Sequence, residues 1–433
     1  MKGAPVSFIS ARFFLGRKGA DGSRDQARKA LAGAVLSVAL SLVPLITVMQ
    51  VADGMIQGIS SRYVELGTYH AQAFSYASSD YEGARDAALA SPGITGAWIE
   101  TQSLGVVFAN GKKEGAALRG VEPGFLSDPS TAAFLTLEAG TLSLARPYDA
   151  LIGAAMAEKL GVGPGDSINL ISLRKGQGGA MTPRVTILSV QGVVSAGYRD
   201  LDAQWIFMRQ DTAARVLPKE NARSFVGIKA DDPFGHPDTA RKAVEGRLPA
   251  GFSVYAWRDV ERNLFASLAS TRTMLLLIMA VTVAVAAVNV SSALTTLVLE
   301  RGQEIAVLKS LGAGASDLAG IFSMGGAAIG GIGAVLGSAG GLLVSLRIND
   351  ILGFIEWLAN RVRLWSAALA GRAVPMQFKI LDPGYYLETI PVRVPFSEIL
   401  VVVMATVVLS FVAALGPARR AAALTPLDGF RKR

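Results

Sequence analysis

The side chains able to do chemistry are few in kind along this 433-residue chain, which has no Cys and only two His, His70 and His236. No thiol nucleophile, disulfide or iron–sulfur site is available, and two imidazoles so far apart in sequence make a poor metal site. The pair Gly111-Lys112 lacks the upstream Gly of a G-x-x-x-x-G-K-[ST] phosphate loop, and neither a G-x-S-x-G elbow nor an H-E-x-x-H helix occurs. One stretch concentrates charge beside apolar residues: ERGQEIAVLKSLGA, residues 300–313. There Glu300 and Glu304 stand four apart, Lys309 lies towards the polar side, and Ile305, Leu308, Leu311 and Gly312 form a stripe at helical spacing. The pattern predicts a short amphipathic helix whose chemistry is ion pairing and docking. Periodicity alone leaves a plain connector and a docking element equally open.

The flanking elements decide where that helix sits. Residues 273–299 upstream and 318–346 downstream contain no Asp, Glu, Lys or Arg, and neither do 30–52 and 399–418. At ~1.5 Å rise per residue, runs of about 20 residues or more cross the ~30 Å hydrocarbon core of a bilayer. A content of 51 % hydrophobic and 18 % charged residues agrees, being too apolar for an ordinary soluble domain. We read four transmembrane helices at 30–52, 273–299, 318–346 and 399–418. The first follows 29 residues and lacks a small-x-small cleavage site, so it is read as an uncleaved anchor. Without an ionisable group inside any span, a pump driven through intramembrane charge is disfavoured.

The net charge of +8 is placed at the ends, with seven Lys or Arg in residues 1–29 and five in 419–433. The positive-inside rule then puts both termini in the cytoplasm, residues 53–272 and 347–398 outside, and 300–317 inside. This placement favours anionic lipid headgroups, not nucleic acid, as the partner of the charge. The third run holds nine Gly, several spaced as small-xxx-small, for close packing within the chain or against a partner. Pro44 should loosen the first span, near Leu45, Val48 and the adaptable Met49.

Residues 53–272 have ordinary charge content and room for one or two folded domains. Strand patterns at 94–100, 104–110, 167–173, 184–194, 204–208 and 252–257 alternate with helical ones at 80–90, 154–160, 212–217 and 237–248. An α+β domain is expected. Its Gly-rich stretch 172–184 lies between two strands and reads as a projecting hairpin or a surface loop.

Four landmarks taken in order resemble the permease subunits of lipoprotein-releasing ABC transporters, the LolC and LolE family, within the wider MacB-like and FtsX-like group. They are FISARFFLGRK with the run ending VMQVADGM, IGAAMAEKLGVGPGDSINLI at 152–171, GQEIAVLKSLGA at 302–313, and YYLETIPVRV at 385–394 with GPARRAAALTPLDGFR at 416–431. The resemblance implies an inner-membrane protein with four transmembrane helices and a large α+β periplasmic domain. Such a permease pairs with a second one, of the same or a different kind, and with two cytoplasmic ABC ATPase subunits. ATP and Mg²⁺ are then used by the ATPase, with no cofactor bound by this chain. Carried over by position, Glu304, Ile305, Leu308, Lys309 and Gly312 would form the coupling contact. Leu45, Val48, Met49, Leu276 and Met279 would line a cavity for acylated lipoproteins, and Met181, Pro183 and Arg184 would lie on a hairpin that meets a periplasmic lipoprotein carrier. The same architecture also serves MacB-type exporters and FtsX-like regulators of cell-wall hydrolases.

Overall fold

The computed structural model describes residues 23–76, 80–175, 181–218, 221–232, 234–235, 238–370, 378, 380, 391–392, 394 and 396–423. The N-terminal FISARFFLGRK, the tip of the 172–184 hairpin, His236, most of YYLETIPVRV and the tail beyond 423 lie outside the described residues. Contacts divide the chain into a membrane unit and a domain unit.

In the membrane unit, four helices among the described residues are long and apolar enough to cross a bilayer: α1 (Ser23–Arg62), α6 (Arg262–Glu300), α8 (Ala315–Leu346) and α10 (Phe396–Ala423). The short α7 (Gly302–Ser310) joins α6 to α8, and α9 (Ile348–Ala370) follows α8 after the single residue Arg347, belonging to this unit as far as Leu358 and to the domain unit from Ala359. The glycines of α8 are explained by what lies against them. A Cβ at Gly333 would come within 2.7 Å of the Val38 side chain, at Gly337 within 2.8 Å of the Ala39 carbonyl, and at Gly341 within 2.9 Å of Ile46. One face of α8 therefore seats α1 directly on its backbone. A second face, at Gly326 and Gly330, meets Ala414 and Ser410 of α10. In lipid, where no hydrophobic force drives helices together, such backbone approach supplies the packing energy. Two polar ties add to it: Thr47 Oγ1 donates to the Gly341 carbonyl at 3.2 Å, and Asn289 Nδ2 to Ser37 Oγ at 3.2 Å. These contacts assign the glycines to packing within the chain.

Two of these helices run well past their charge-free stretches. α1 continues unbroken through Pro44 to Arg62 and closes in a π-helical turn, Tyr63–Thr68, while α6 begins at Arg262. At ~1.5 Å per residue each is about 60 Å long, twice the hydrocarbon thickness.

Among the described residues the domain unit is built on ten strands: β1 (Ala71–Phe74), β2 (Ile94–Ala109), β3 (Lys112–Val121), β4 (Thr136–Gly140), β5 (Asp149–Gly153), β6 (Ser167–Lys175), β7 (Met181–Ser195), β8 (Trp205–Arg209), β9 (Arg223–Ala230) and β10 (Ser253–Ala256). Helices α2 (Tyr81–Leu89), α3 (Ala154–Leu160), α4 (Gln210–Val216) and α5 (Thr239–Val244) intervene. Strands β2, β3, β8, β5, β7 and β6 pair in that order, and β6 pairs back to β2, closing a ring. Its interior is filled by Val107, Leu118, Ile152, Leu170, Leu188 and Ile206, all fully or almost fully buried. The period-2 alternation of each strand sends one set of side chains into that ring. The first half of β2 leaves the ring to pair with β9, which continues to β1 and β10; this second sheet packs with α2 and α5 around Val226, Ile228, Ala84, Ala88 and Val244. The two stretches read as separate strands at 94–100 and 104–110 are thus one strand serving two cores. Between β2 and β3, Asn110 and Gly111 both take positive φ, 52° and 77°, the conformation of a two-residue hairpin turn that Asn-Gly favours.

Candidate functional site

Helix α7 is set by its own caps and by the spans it joins. The Gly312 N–H donates to the Lys309 carbonyl at 2.9 Å and the Ala313 N–H to the Leu308 carbonyl at 3.0 Å. Gly312 sits at φ +90°, where a side chain would be strained, so it acts as the helix stop. Ile305 is 0 % exposed and shares a buried cluster with Leu318, Phe322 and Ala421, with Leu308 packed against it. Lys309 Nζ donates to the Ala422 carbonyl of α10 at 2.6 Å, and Arg301 pairs with Glu304 at 3.0 Å. Among the five residues expected to meet a partner, Ile305 is therefore corrected: it faces its own chain and seats the helix, because the spans bury the Ile305 and Leu308 part of the apolar stripe and leave its Leu311 and Gly312 outside. Leu308 and Lys309 are half-buried in the same direction. The outward face, one helical side by spacing, is Gln303, Val307, Ser310 and Leu311, the last 76 % exposed.

At the other end of the membrane unit lies a group of charges that sequence reasoning passed over. Arg272 Nε lies 3.1 Å from Asp53 Oδ1, and Arg272 Nη2 donates to Glu398. One residue from each of α1, α6 and α10 is thereby joined. Each is the first charged residue beyond a charge-free run, and that shared position at three run borders was the signal available. Next to Asp53, Gly54 has no room for a side chain, since a Cβ would collide with the Pro391 carbonyl. Below this mouth, Val48 and Leu276 are exposed, Leu45 and Met279 are half-buried against the helix core, and Met49 is buried. The cavity expectation for Met49 is corrected accordingly: it points into the bundle, where helical spacing puts it beside Leu42 and Ile46 in burial.

Beyond α1, two buried ion networks tie its π-helical turn and the residue after it to the domain sheets. Tyr69 Oη donates to Glu100 at 2.5 Å, while Arg119 Nε and Nη2 donate to the two Glu100 oxygens at 2.6 and 2.8 Å. The guanidinium lies over Trp205 and Phe207, 4.7 and 4.9 Å from the ring centroids. Burial opposes the charge on Arg119, and the Glu100 carboxylate outweighs burial and holds the guanidinium above its ordinary pKa. In the second network Lys229 Nζ donates to Asp128 at 2.9 Å, Ser130 at 2.6 Å and Thr131 at 2.8 Å, and lies 3.2 Å from Glu65. The Ala230 N–H donates to His70 Nδ1 at 2.8 Å, so Nε2 carries the ring proton towards Glu65 at 3.0 Å. Burial pushes the Asp128 carboxyl up, but the Ser130 hydroxyl and Lys229 ammonium together hold it below the usual range.

The hairpin exists as β6 and β7, paired out to Lys175 opposite Met181. Pro183 is exposed, whereas Arg184 is half-buried and donates to the Arg215 carbonyl at 3.2 Å; the Met181 side chain lies outside the described residues. The outer surface of β7 exposes Val185 and Ile187, and β2 exposes Leu104 and Val106. Register aligns Val106, Ile171 and Val185 across three strands, giving an apolar face that the hairpin pattern alone did not reveal.

Two family models match successive parts of the chain. Residues 31–246 match the MacB-like periplasmic core domain, and residues 276–426 match the FtsX-like permease C-terminal family. The lipoprotein-releasing system transmembrane protein LolC of Xylella fastidiosa (strain 9a5c) is 27 % identical over 403 residues, 92 % of each chain. The corresponding LolE of Haemophilus influenzae is 24 % identical over 336 residues, 75 % of this chain and 74 % of its own. The periplasmic region of MacB from Actinobacillus actinomycetemcomitans aligns with a TM-score of 0.31 at 12 % identity, over 45 % of this chain and 91 % of that one. Four transmembrane helices carrying a large α+β periplasmic domain define a permease of the MacB and FtsX type. Within that class the chain is similar over most of its length to the lipoprotein-releasing permeases LolC and LolE.

Proposed function

We propose that this chain is the permease subunit of an ATP-driven inner-membrane complex that releases lipoproteins for transfer to a periplasmic carrier and the outer membrane. The observation that carries the reading is the match over 92 % of both chains to a relative named for lipoprotein release. The geometry supports it. A chain without a phosphate-binding loop receives work from outside, and α7 offers Val307 and Leu311 on an exposed face for that purpose. In this reading two cytoplasmic ATPase subunits bind ATP and Mg²⁺ and press on α7, with both termini on the same side. The long α1, locked by its terminal turn into the Glu65–Lys229 and Tyr69–Glu100–Arg119 networks, carries motion into the periplasmic domain. Acyl chains enter beside the exposed Val48 and Leu276, next to a second permease that is either a copy of this chain or a different one. The carrier docks on the exposed apolar face of β2, β6 and β7 and on Pro183. Depletion of the chain followed by fractionation tests this reading. Acylated lipoproteins accumulate in the inner membrane if it is right; unaltered sorting rejects it and leaves an FtsX-like regulator of a hydrolase, whereas co-purification of an outer-membrane channel leaves a MacB-type exporter.

A further inference from the structure

Helix α9 lies in a stretch that the sequence presented as a periplasmic loop, and neither the four spans nor the ion networks use it. It has 23 residues, enough length to cross a bilayer, but Asp350, Glu356, Arg361 and Arg363 punctuate it. It is not among the apolar spans. At about 100° per residue, Phe354, Leu358 and Trp365 fall on one line along the helix, with Ile355 and Val362 on one flank and Trp357 on the other. All six are exposed, Phe354 by 59 % and Trp365 by 71 %. Glu356, Asn360 and Arg363 lie on the opposite side. That polar side is held by the chain itself: Asn360 Nδ2 donates to the Phe378 carbonyl at 3.0 Å, the Phe378 N–H donates to Asn360 Oδ1 at 2.7 Å, and the Arg363 guanidinium lies over the Phe378 ring at 5.8 Å.

We propose that the apolar face of α9 is a lipid-binding surface, embedded at the boundary between headgroups and acyl chains of the periplasmic leaflet. Continuity argues for lipid over protein as the occupant. The helix begins one residue after the span helix α8 ends, so its first turn emerges where the bilayer surface lies. Its composition agrees. Paired Trp with Phe and Leu on one face and Glu356, Asn360 and Arg363 on the other is the pattern of helices lying in the interface plane, where the indole ring has an apolar body and a polar N–H. By the same spacing Asp350 and Arg361 fall between Trp357 and Phe354, inside the apolar arc, where the long Arg stem can lie along the face with its charged head at headgroup level. Bound this way, α9 anchors the external end of α8 at a defined depth, whatever cargo the permease carries.

The test uses the native chain, whose five Trp comprise Trp98, Trp205 and Trp257 in the domain and Trp357 and Trp365 on α9. The intact complex is reconstituted into phosphatidylethanolamine–phosphatidylglycerol vesicles with and without brominated phosphatidylcholine. The expected result is that brominated lipid quenches part of the Trp emission and that W357F/W365F abolishes the quenchable part. Because the chain has no Cys, single Cys variants carrying bimane provide a second measurement without background. Labels at 354 and 365 should be quenched severalfold more by shallow doxyl lipid than labels at 356 and 363, with the order reversed for aqueous iodide. Equal iodide access at 354 and 356 would overturn the proposal, as would shielding of 354 and 365 from both quenchers, which indicates a protein partner on this face. Lipid quenching unchanged by W357F/W365F would overturn it as well.

Discussion

At the residue scale the best-determined chemistry is buried charge held in pairs. Arg119 is 1 % and Glu100 0 % exposed, so removing either partner strands the other in a low-dielectric core. Glu100→Ala should therefore destabilise the domain by about 3–5 kcal/mol, read as a lower thermal midpoint of the purified chain. The double change E100L/R119M should cost much less, since a matched apolar pair leaves no buried ion. Asp128 gives a pH prediction. Its native pKa is lowered, so its contribution is complete above the unfolded value of about 3.9 and is lost as pH falls through the native value. Stability should hold from neutral pH down to about 4 and drop more steeply below it than in Asp128→Asn, whose curve lacks this proton uptake. Both pairs were invisible beforehand, because Glu100 and Arg119 meet only when β2 and β3 register side by side.

At the element scale α7 separates a seating face from an outward face, and substitutions on the two should behave differently. Leu311→Asp, on the exposed side, should leave folding and insertion intact and sharply reduce permease-stimulated ATP hydrolysis by the co-purified complex; stimulation equal to wild type would remove α7 as the docking element. Ile305→Asp should instead prevent accumulation of folded protein, since it buries a carboxylate with no partner. Gly312→Asp is a poorer probe, because a positive φ makes any loss of coupling also a loss of the helix stop. The α8 glycines make a parallel case. Gly337→Leu would collide with the Ala39 backbone and Leu42 and should lower the thermal midpoint of the solubilised protein by the equivalent of about 1–3 kcal/mol. Gly353→Leu, with open space around it, should not.

At the scale of the whole molecule the Asp53–Arg272–Glu398 group joins α1, α6 and α10 at one end of the membrane unit. Reversing Arg272 to Asp places three acids together and should impair lipoprotein release from spheroplasts; Asp53→Arg in the same chain should restore part of it. Failure of the double variant to recover, with both proteins equally abundant, would show that the mouth does not depend on this pairing. The group also illustrates how far sequence reading reached. Its members stand at the edges of three apolar runs, 219 and 126 residues apart in sequence (272 minus 53, 398 minus 272), and only packing of the spans makes them neighbours.

The sequence by itself determined the four membrane helices, the α+β character of the segment between the first two, and the amphipathic helix after the second span, while leaving the stretch at β6 and β7 open between a hairpin and a loop. Each rests on local physics: a bilayer demands a long uncharged run, and a strand or helix buries one face at a period set by its own backbone. Tertiary structure alone decided the rest. It joined two strand patterns into β2, closed six strands into a ring, and turned Ile305 of the α7 stripe inward while Leu311 of the same stripe faces outward with Val307. The Asn-Gly turn before β3 was a readable signal that went unused. The other decisions were not encoded locally, because an amphipathic period states that one face is covered but not by what, and the choice between the chain's own spans and a partner is made only where long-range contacts form.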